Sequence, residues 1–319
     1  MKDVELSGLR EAYLKILPYI LRTPLLRCPA IEKKLSTPCR IFLKLENTQI
    51  TKSFKARGAF HALLCLSKEQ RKRGVVSRSA GNFAQALAFA AKILNIPATL
   101  VMSENVSLLK KELTAQHGAK IVLAGTTHKE GNAKVAELAE KYNLCTLSPY
   151  DHFDVIVGQG TLALEIFDDL PTIEHFFSPI GGGGLLSGCS AAFKKLKPTI
   201  KIHGVEPEGA NDYFQSRQTC KNISIEFPTT IADGLRANEV GILNRPLLDK
   251  YVDTVSTVSD SQIIQAMRFI KEELDMMIEP SGVAALASIL YGKQQLHGDV
   301  VCVLTGGNID TDSYLKLMA

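Results

Sequence analysis

Two short segments of this 319-residue sequence concentrate groups able to do chemistry. The first is Ser178-Pro179-Ile180-Gly181-Gly182-Gly183-Gly184-Leu185-Leu186. Four consecutive glycines carry no Cβ, so successive backbone N–H groups can converge on one anion where the loop opens a helix. No Gly-Lys-Ser/Thr follows, as a P-loop requires, and the spacing is not the Gly-x-Gly-x-x-Gly of a dinucleotide site. The loop suits a single phosphate. The second segment is Ser53-Phe54-Lys55-Ala56-Arg57-Gly58-Ala59. A lysine at a helix start with Arg57 beside it should have its ammonium form disfavoured. Lys55 is therefore a candidate amine nucleophile for Schiff-base chemistry. Ser79, Gly81 and Asn82 form a third turn, between a strand and a helix, whose donors could hold a carboxylate.

Other reactive side chains read as structural. The seven histidines show no HxxxH or HExxH spacing and are expected at the surface or in packing. The seven cysteines are scattered, with no CxxC pair, so neither a disulfide framework nor a thiolate metal site is expected. The charge run Lys68 to Arg73 reads as a solvated helix end before Gly74.

The elements that must position these groups alternate along the chain. GVVS (74–77), ATLVM (98–102), KIVLA (120–124) and LCTLS read as strands, separated by three helical stretches. Four strands and three helices make a small open parallel sheet. A larger set follows, with strands HFFSPI, KIHGVEP, YVDTVSTVS and VVCVLT. Its helices are DVIVGQGTLALEIFDDL, GLLSGCSAAFKKL, SDSQIIQAMRFIKEEL and SGVAALASILYGK. The fold expected is α/β with two open parallel-sheet domains, which places ligands at loops beyond the carboxyl ends of strands. Composition excludes several classes. Thirty-seven basic and 33 acidic residues leave a net charge of +4, too weak a field to point at nucleic acid or membrane. The charged N-terminal stretch is no secretory signal. The long uncharged run His175 to Phe193 contains Pro179 and the glycines, which a membrane helix would not tolerate. A cytoplasmic globular enzyme is expected.

The segment LKLENTQITKSFKARGAF (43–60) resembles that around the pyridoxal-phosphate lysine of serine/threonine dehydratases and serine racemases, the fold type II, tryptophan synthase β-like group. The resemblance continues, collinear over nearly the whole chain, through SAGNFAQALAFAA (79–91), GQGTLALEI (158–166), GGGGLLSG (181–188), VEPEGAND (205–212), TIADGLR (230–236), EPSGVAALA (279–287) and LTGGNID (304–310). It implies pyridoxal 5'-phosphate as cofactor, held covalently by Lys55, which is also the base at the substrate α-carbon. It further implies a phosphate cradle of Gly181, Gly182, Gly183, Gly184 and Leu185, and Asn82 on the cofactor's ring hydroxyl. Phe54 and Gly234 would cover the two ring faces, Thr305 would meet the ring nitrogen, and Glu279 would lie near the cofactor.

Ser79, Ala80, Gly81, Asn82 and Phe83 would form the substrate side. Phe83 replaces the family's usual His, and Ala80 stands where serine racemases have a second serine, which favours elimination over racemisation. Glu206, Ala210 and Asp212 match a divalent-cation site of part of the family, and their oxygen ligands would suit Mg²⁺ or Ca²⁺.

The domains implied are 1–73 with 148–319, carrying the cofactor, and an inserted 74–147. The resemblance also implies a homodimer and a small hydroxyamino-acid substrate, with no nucleic-acid or membrane partner. L-threonine or L-serine dehydration is the expected reaction, with serine racemisation or 3-hydroxyaspartate dehydration as alternatives. No additional Arg in the small-domain loops announces a second substrate carboxylate, though Lys129 could serve. The sequence ends at Ala319, soon after LTGGNID, so a C-terminal amino-acid-sensing domain is not expected.

Overall fold

The structure is a computed structural model and describes residues 3–106 and 108–319. Its strands are Leu25–Arg27 (β1), Arg40–Leu45 (β2), Val75–Arg78 (β3), Ala98–Met102 (β4), Lys120–Leu123 (β5), Cys145–Thr146 (β6), Ile173–Pro179 (β7), Lys201–Pro207 (β8), Thr254–Val258 (β9) and Asp299–Leu304 (β10). They form a six-stranded sheet, in the order β1-β2-β10-β7-β8-β9, and a four-stranded sheet, in the order β5-β4-β3-β6. All pairings are parallel except that of the edge strand β1 with β2.

Parallel strands covered on both faces should be apolar, and β10 is from Val300 to Leu304. Val301 and Val303 face a core built with helices Phe153–Asp169 and Gly184–Leu196. Val300, Cys302 and Leu304 face the opposite core, which helices Asp260–Leu274 and Pro280–Tyr291 complete. The four-stranded sheet is covered by the alanine-rich helix Asn82–Ile93 on one face and by His128–Tyr142 on the other. The uncharged run His175 to Phe193 divides into most of β7, the glycine loop and most of the helix Gly184–Leu196, all inside the protein. No helix among the described residues is long and apolar enough to cross a membrane.

Helix ends follow their local chemistry. Ser67, Thr127 and Ser259 each cap a helix reciprocally with Gln70, Glu130 and Gln262. The run Lys68–Arg73 is the first of these helices, with no buried residue, and it stops at Gly74.

The sequence pattern does not single out β1, β2 and the helices Leu6–Ile16, Pro29–Leu35, Asp212–Thr219, Arg245–Tyr251 and Thr311–Met318. Their signals are weak. β1 is three half-exposed or exposed residues, and β2 (RIFLKL) carries a lysine that the fold buries completely.

Candidate active site

Three strands of two different sheets end at one cleft. β3 ends at Arg78 and passes through Ser79–Gly81 into the helix Asn82–Ile93. β7 ends at Pro179 and passes through the glycines into Gly184–Leu196, and β10 ends just before Thr305. The cavity between them, about 210 Å³, is lined by Phe54, Lys55, Ser79, Gly81, Asn82 and Phe83 from one side. Gly181 to Leu185, Gly234, Glu279 and Thr305 line it from the other. The cleft widens outward past Ala80. Carboxyl ends of parallel strands are where this architecture places ligands.

Lys55 is the first residue of the helix Lys55–Leu64, whose apolar face of Ala56, Ala59, Phe60 and Leu63 is buried. Its Nζ donates to the Pro149 carbonyl at 2.9 Å and lies 5.0 Å from the centre of the Phe54 ring and 5.9 Å from that of Phe83. Burial between these rings lowers its pKa to about 8, with Glu279 pulling weakly the other way. The expected role of Arg57 in that shift is not found. Arg57 is fully buried and turned away, bonded to Glu46 at 2.8 and 2.9 Å and to Glu165 at 2.9 Å, with Lys44 completing the group at 2.8 Å from Glu165. Its charge is spent on these carboxylates. It anchors the helix that carries Lys55 rather than repelling the amine.

The glycine loop is built as a cradle. Gly181 and Gly183 have φ of +51° and +92°, a region that side chains disfavour, and a Cβ on Gly182 would lie 2.3 Å from the Tyr150 ring. Gly183 is the N-cap of Gly184–Leu196, so the N–H groups of Gly184 and Leu185 have no acceptor within the helix and flank the cavity. This arrangement fits a phosphate.

Asn82 ties the two sheets together. Its Nδ2 donates to Glu279 at 2.6 Å, and its Oδ1 accepts from Asn308 at 2.8 Å. Glu279 is the N-cap of Pro280–Tyr291, and burial raises its pKa to about 8, with Asp233 adding to the rise. Near neutral pH it is mostly an uncharged acid. Thr305 Oγ1 donates to the Ser281 carbonyl at 3.2 Å, so it must release that bond to donate to a ring nitrogen. Gly234 donates its N–H to Ser281 Oγ at 2.9 Å, and a Cβ there would meet that same oxygen. On the substrate side, the backbone N–H of Ser79 is already used, donating to Val101 at 3.2 Å. The donors left for a carboxylate are the Ser79 hydroxyl and the first N–H groups of the helix at Asn82 and Phe83.

Lys129 is exposed and lines neither part of the cleft. Arg78, which the sequence reading passed over, lines both parts. Its signal was its place as the last strand residue before Ser79.

Glu206 near the end of β8 and Ala210 and Asp212 just beyond it are all buried. Glu206 accepts from the N–H groups of Tyr213 (3.3 Å) and Phe214 (2.7 Å), and Asp212 accepts from Val240 (2.9 Å). Burial and the nearby Asp212 push Glu206 well above the usual carboxylate range; burial raises Asp212 to about 7. Two buried acids, each disfavoured in its charged form, suit a divalent cation.

Elsewhere, His175 bonds His203 at 2.9 Å and His297 at 3.2 Å, and His203 bonds Thr254 at 2.7 Å, in a chain across the six-stranded sheet. His175 and His203 are packing residues, as expected. His61 contacts Cys65 at 3.4 Å and, with Asp154, brings nitrogen, sulfur and oxygen within 4.8 Å of one another, a grouping the sequence spacing did not suggest.

A buried lysine amine facing a glycine cradle fits a class of cofactor enzyme, and the comparisons show the family. Residues 16–306 match the family model "Pyridoxal-phosphate dependent enzyme", and the chain belongs to that family, with pyridoxal phosphate as its cofactor. The chain is 38% identical to an L-threo-3-hydroxyaspartate ammonia-lyase of Saccharomyces cerevisiae, over 97% of this chain and 94% of that one. It is 37% identical to an L-threonine ammonia-lyase of Thermotoga maritima, over 97% and 77% of the two chains. Among solved structures, maize serine racemase superposes with a TM-score of 0.94 at 34% identity, covering 99% of this chain and 97% of the other.

Proposed function

We propose that this enzyme is an ammonia-lyase that dehydrates and deaminates a hydroxyamino acid, L-threonine or L-serine, to 2-oxobutyrate or pyruvate with ammonia. The observation that carries the reading is Lys55. Its amine, held near pKa 8, shares one cavity with an anion cradle and with a turn of free donors.

Pyridoxal phosphate, when bound, supplies an electron sink that weakens the substrate's α C–H bond. Gly181 to Leu185 would hold its phosphate, Asn82 would bond its ring hydroxyl, and Phe54 and Gly234 would cover its ring. Lys55 Nζ takes the α-proton as a general base. Ser79 Oγ and the N–H groups of Asn82 and Phe83 hold the α-carboxylate and fix the α C–H bond toward that amine. Thr305 offers the ring nitrogen a hydroxyl, which cannot force a proton onto it as a carboxylate would. That favours loss of a β-hydroxyl as the α-proton leaves. Ala80 has no proton to return to the opposite face, which favours elimination over racemisation. Phe83 and Phe54 keep water from the amine.

A second substrate, 3-hydroxyaspartate, is favoured by the 38% identity to the yeast ammonia-lyase named for it. We further propose a divalent cation at Glu206, Ala210 and Asp212, a homodimer as the assembled form, and residues 74–147 as an inserted domain.

The test is release of 2-oxo acid and ammonia by cofactor-loaded protein from L-threonine, L-serine, D-serine and both diastereomers of 3-hydroxyaspartate. Chiral analysis of the remaining serine separates racemisation. Release from an L-hydroxyamino acid without loss of chirality supports the reading; racemised serine without oxo acid contradicts it.

A further inference from the structure

Arg78 is a cation held in the cleft without a counter-charge. It ends β3 half-buried, and its Nε donates to Asn132 Oδ1 at 2.8 Å on the helix His128–Tyr142. That helix makes room for it, since a Cβ on Gly131 would lie 2.6 Å from Arg78 Cδ. The side chain is thus threaded past a glycine and fixed at Nε. Its two terminal nitrogens remain for the cavity, which it lines together with Lys55, Ser79, His128 and Tyr150.

The other charged side chains of the inner cavity have partners or are neutral, and Lys55 donates to the Pro149 carbonyl. Lys110 pairs with Asp233, and the Arg236 guanidinium donates to the Thr230 carbonyl. Glu279 is an acid largely neutral near pH 7. No carboxylate among the described residues pairs with Arg78. Burial lowers its pKa, only partly offset by Tyr150, so the fold keeps a partly desolvated guanidinium unpaired. A desolvated charge is costly unless an anion meets it, and a guanidinium's planar fork matches a carboxylate bidentately.

We propose that Arg78 binds the distal carboxylate of the substrate, which makes a 3-hydroxy dicarboxylic amino acid the substrate class of this site. The proposal rests on the ammonia-lyase reading above and deepens it. The α-carboxylate goes to the Ser79–Phe83 turn, the α-carbon faces Lys55, and the β-carbon's carboxylate reaches toward Asn132 and Arg78. Loss of water from 3-hydroxyaspartate leaves an enamine that becomes an imine, and hydrolysis of that imine by water releases ammonia and oxaloacetate. A substrate lacking that carboxylate, such as serine, leaves the guanidinium unmet.

The test reads binding separately from turnover. L-malate and L-lactate, a dicarboxylate and a monocarboxylate that both lack the reactive amine, are titrated calorimetrically into cofactor-loaded wild type, Arg78→Leu and Arg78→Lys. Wild type is expected to bind malate at least about tenfold tighter than lactate, Arg78→Leu to lose that preference, and Arg78→Lys to keep part of it. In turnover, Arg78→Leu should lose at least about tenfold more kcat/KM on 3-hydroxyaspartate than on L-serine. Equal malate and lactate affinities in wild type, or a preference that survives Arg78→Leu, would overturn the proposal. So would equal losses on both substrates, which would move Arg78 to the shared α-carboxylate. An absence of oxo acid from every substrate would instead overturn the ammonia-lyase reading, while the malate preference would still report on Arg78.

Discussion

Lys55 and Glu279 face the same cavity, and burial moves both toward a pKa of about 8, in opposite senses. Burial disfavours the charged form of each, so the amine loses its proton more easily and the acid keeps its own. Attack on a carbonyl needs the free amine. The rate at which cofactor-free protein takes up pyridoxal phosphate should therefore rise about tenfold per pH unit below pH 8 and level off above it. Stopped-flow absorbance follows this, and a rate still climbing toward pH 10 would mean an ordinary lysine. Lys55, the glycines and Asn82, expected at the site from the sequence, line one cavity; the glycine run and the lysine at a helix start stood out by pattern, and the role of Asn82 came from the resemblance. Arg78 did not stand out, since an arginine at a strand end reads as solvated until the fold shows Gly131 and Asn132 guiding it inward.

At the scale of elements, the helix Lys55–Leu64 is held by a buried group of Arg57, Glu46, Glu165 and Lys44, all fully buried. Burial works against these charges, but Arg57 and Lys44 hold Glu165 ionised, and the two carboxylates keep Arg57 protonated. Removing one member strands a buried charge. Arg57→Met should cost about 3–5 kcal/mol in denaturant unfolding. It should also lower turnover by loosening the helix under Lys55; an unfolding midpoint like that of wild type would contradict the network's role. The same group shows why elements were partly illegible. Lys44 and Arg57 carry the sequence signature of solvated residues, so β2 did not read as a buried strand. The buried strand that read most clearly, β10, owes it to the apolar run Val300 to Leu304 bounded by turns.

At the scale of the molecule, the cleft exists because two sheets bring the ends of β3, β7 and β10 together, and Asn82, Glu279 and Asn308 tie them across it. Alternating strands and helices announced both sheets. They did not announce which side chains would meet between them, because the ties from Asn82 to Glu279 and Asn308 join residues nearly two hundred or more positions apart. Away from the cleft, the proposed cation at Glu206, Ala210 and Asp212 would bind the folded chain alone. Mg²⁺ at a hundred times its dissociation constant should add about 2.7 kcal/mol of stability. Thermal unfolding with and without Mg²⁺ reads this, and Glu206→Gln should abolish the difference; a shift unchanged by that substitution would place the cation elsewhere.

The central claim is that Lys55 is the base of a β-elimination in this cleft. Its most direct test compares initial rates of 2-oxo acid release by wild type and Lys55→Ala, both incubated with pyridoxal phosphate, on L-threonine, L-serine and 3-hydroxyaspartate. The account predicts release by wild type from at least one of them and a loss of at least about 10²–10⁴-fold in Lys55→Ala. Comparable rates in the two proteins, or no release by wild type from any of the three, would contradict it.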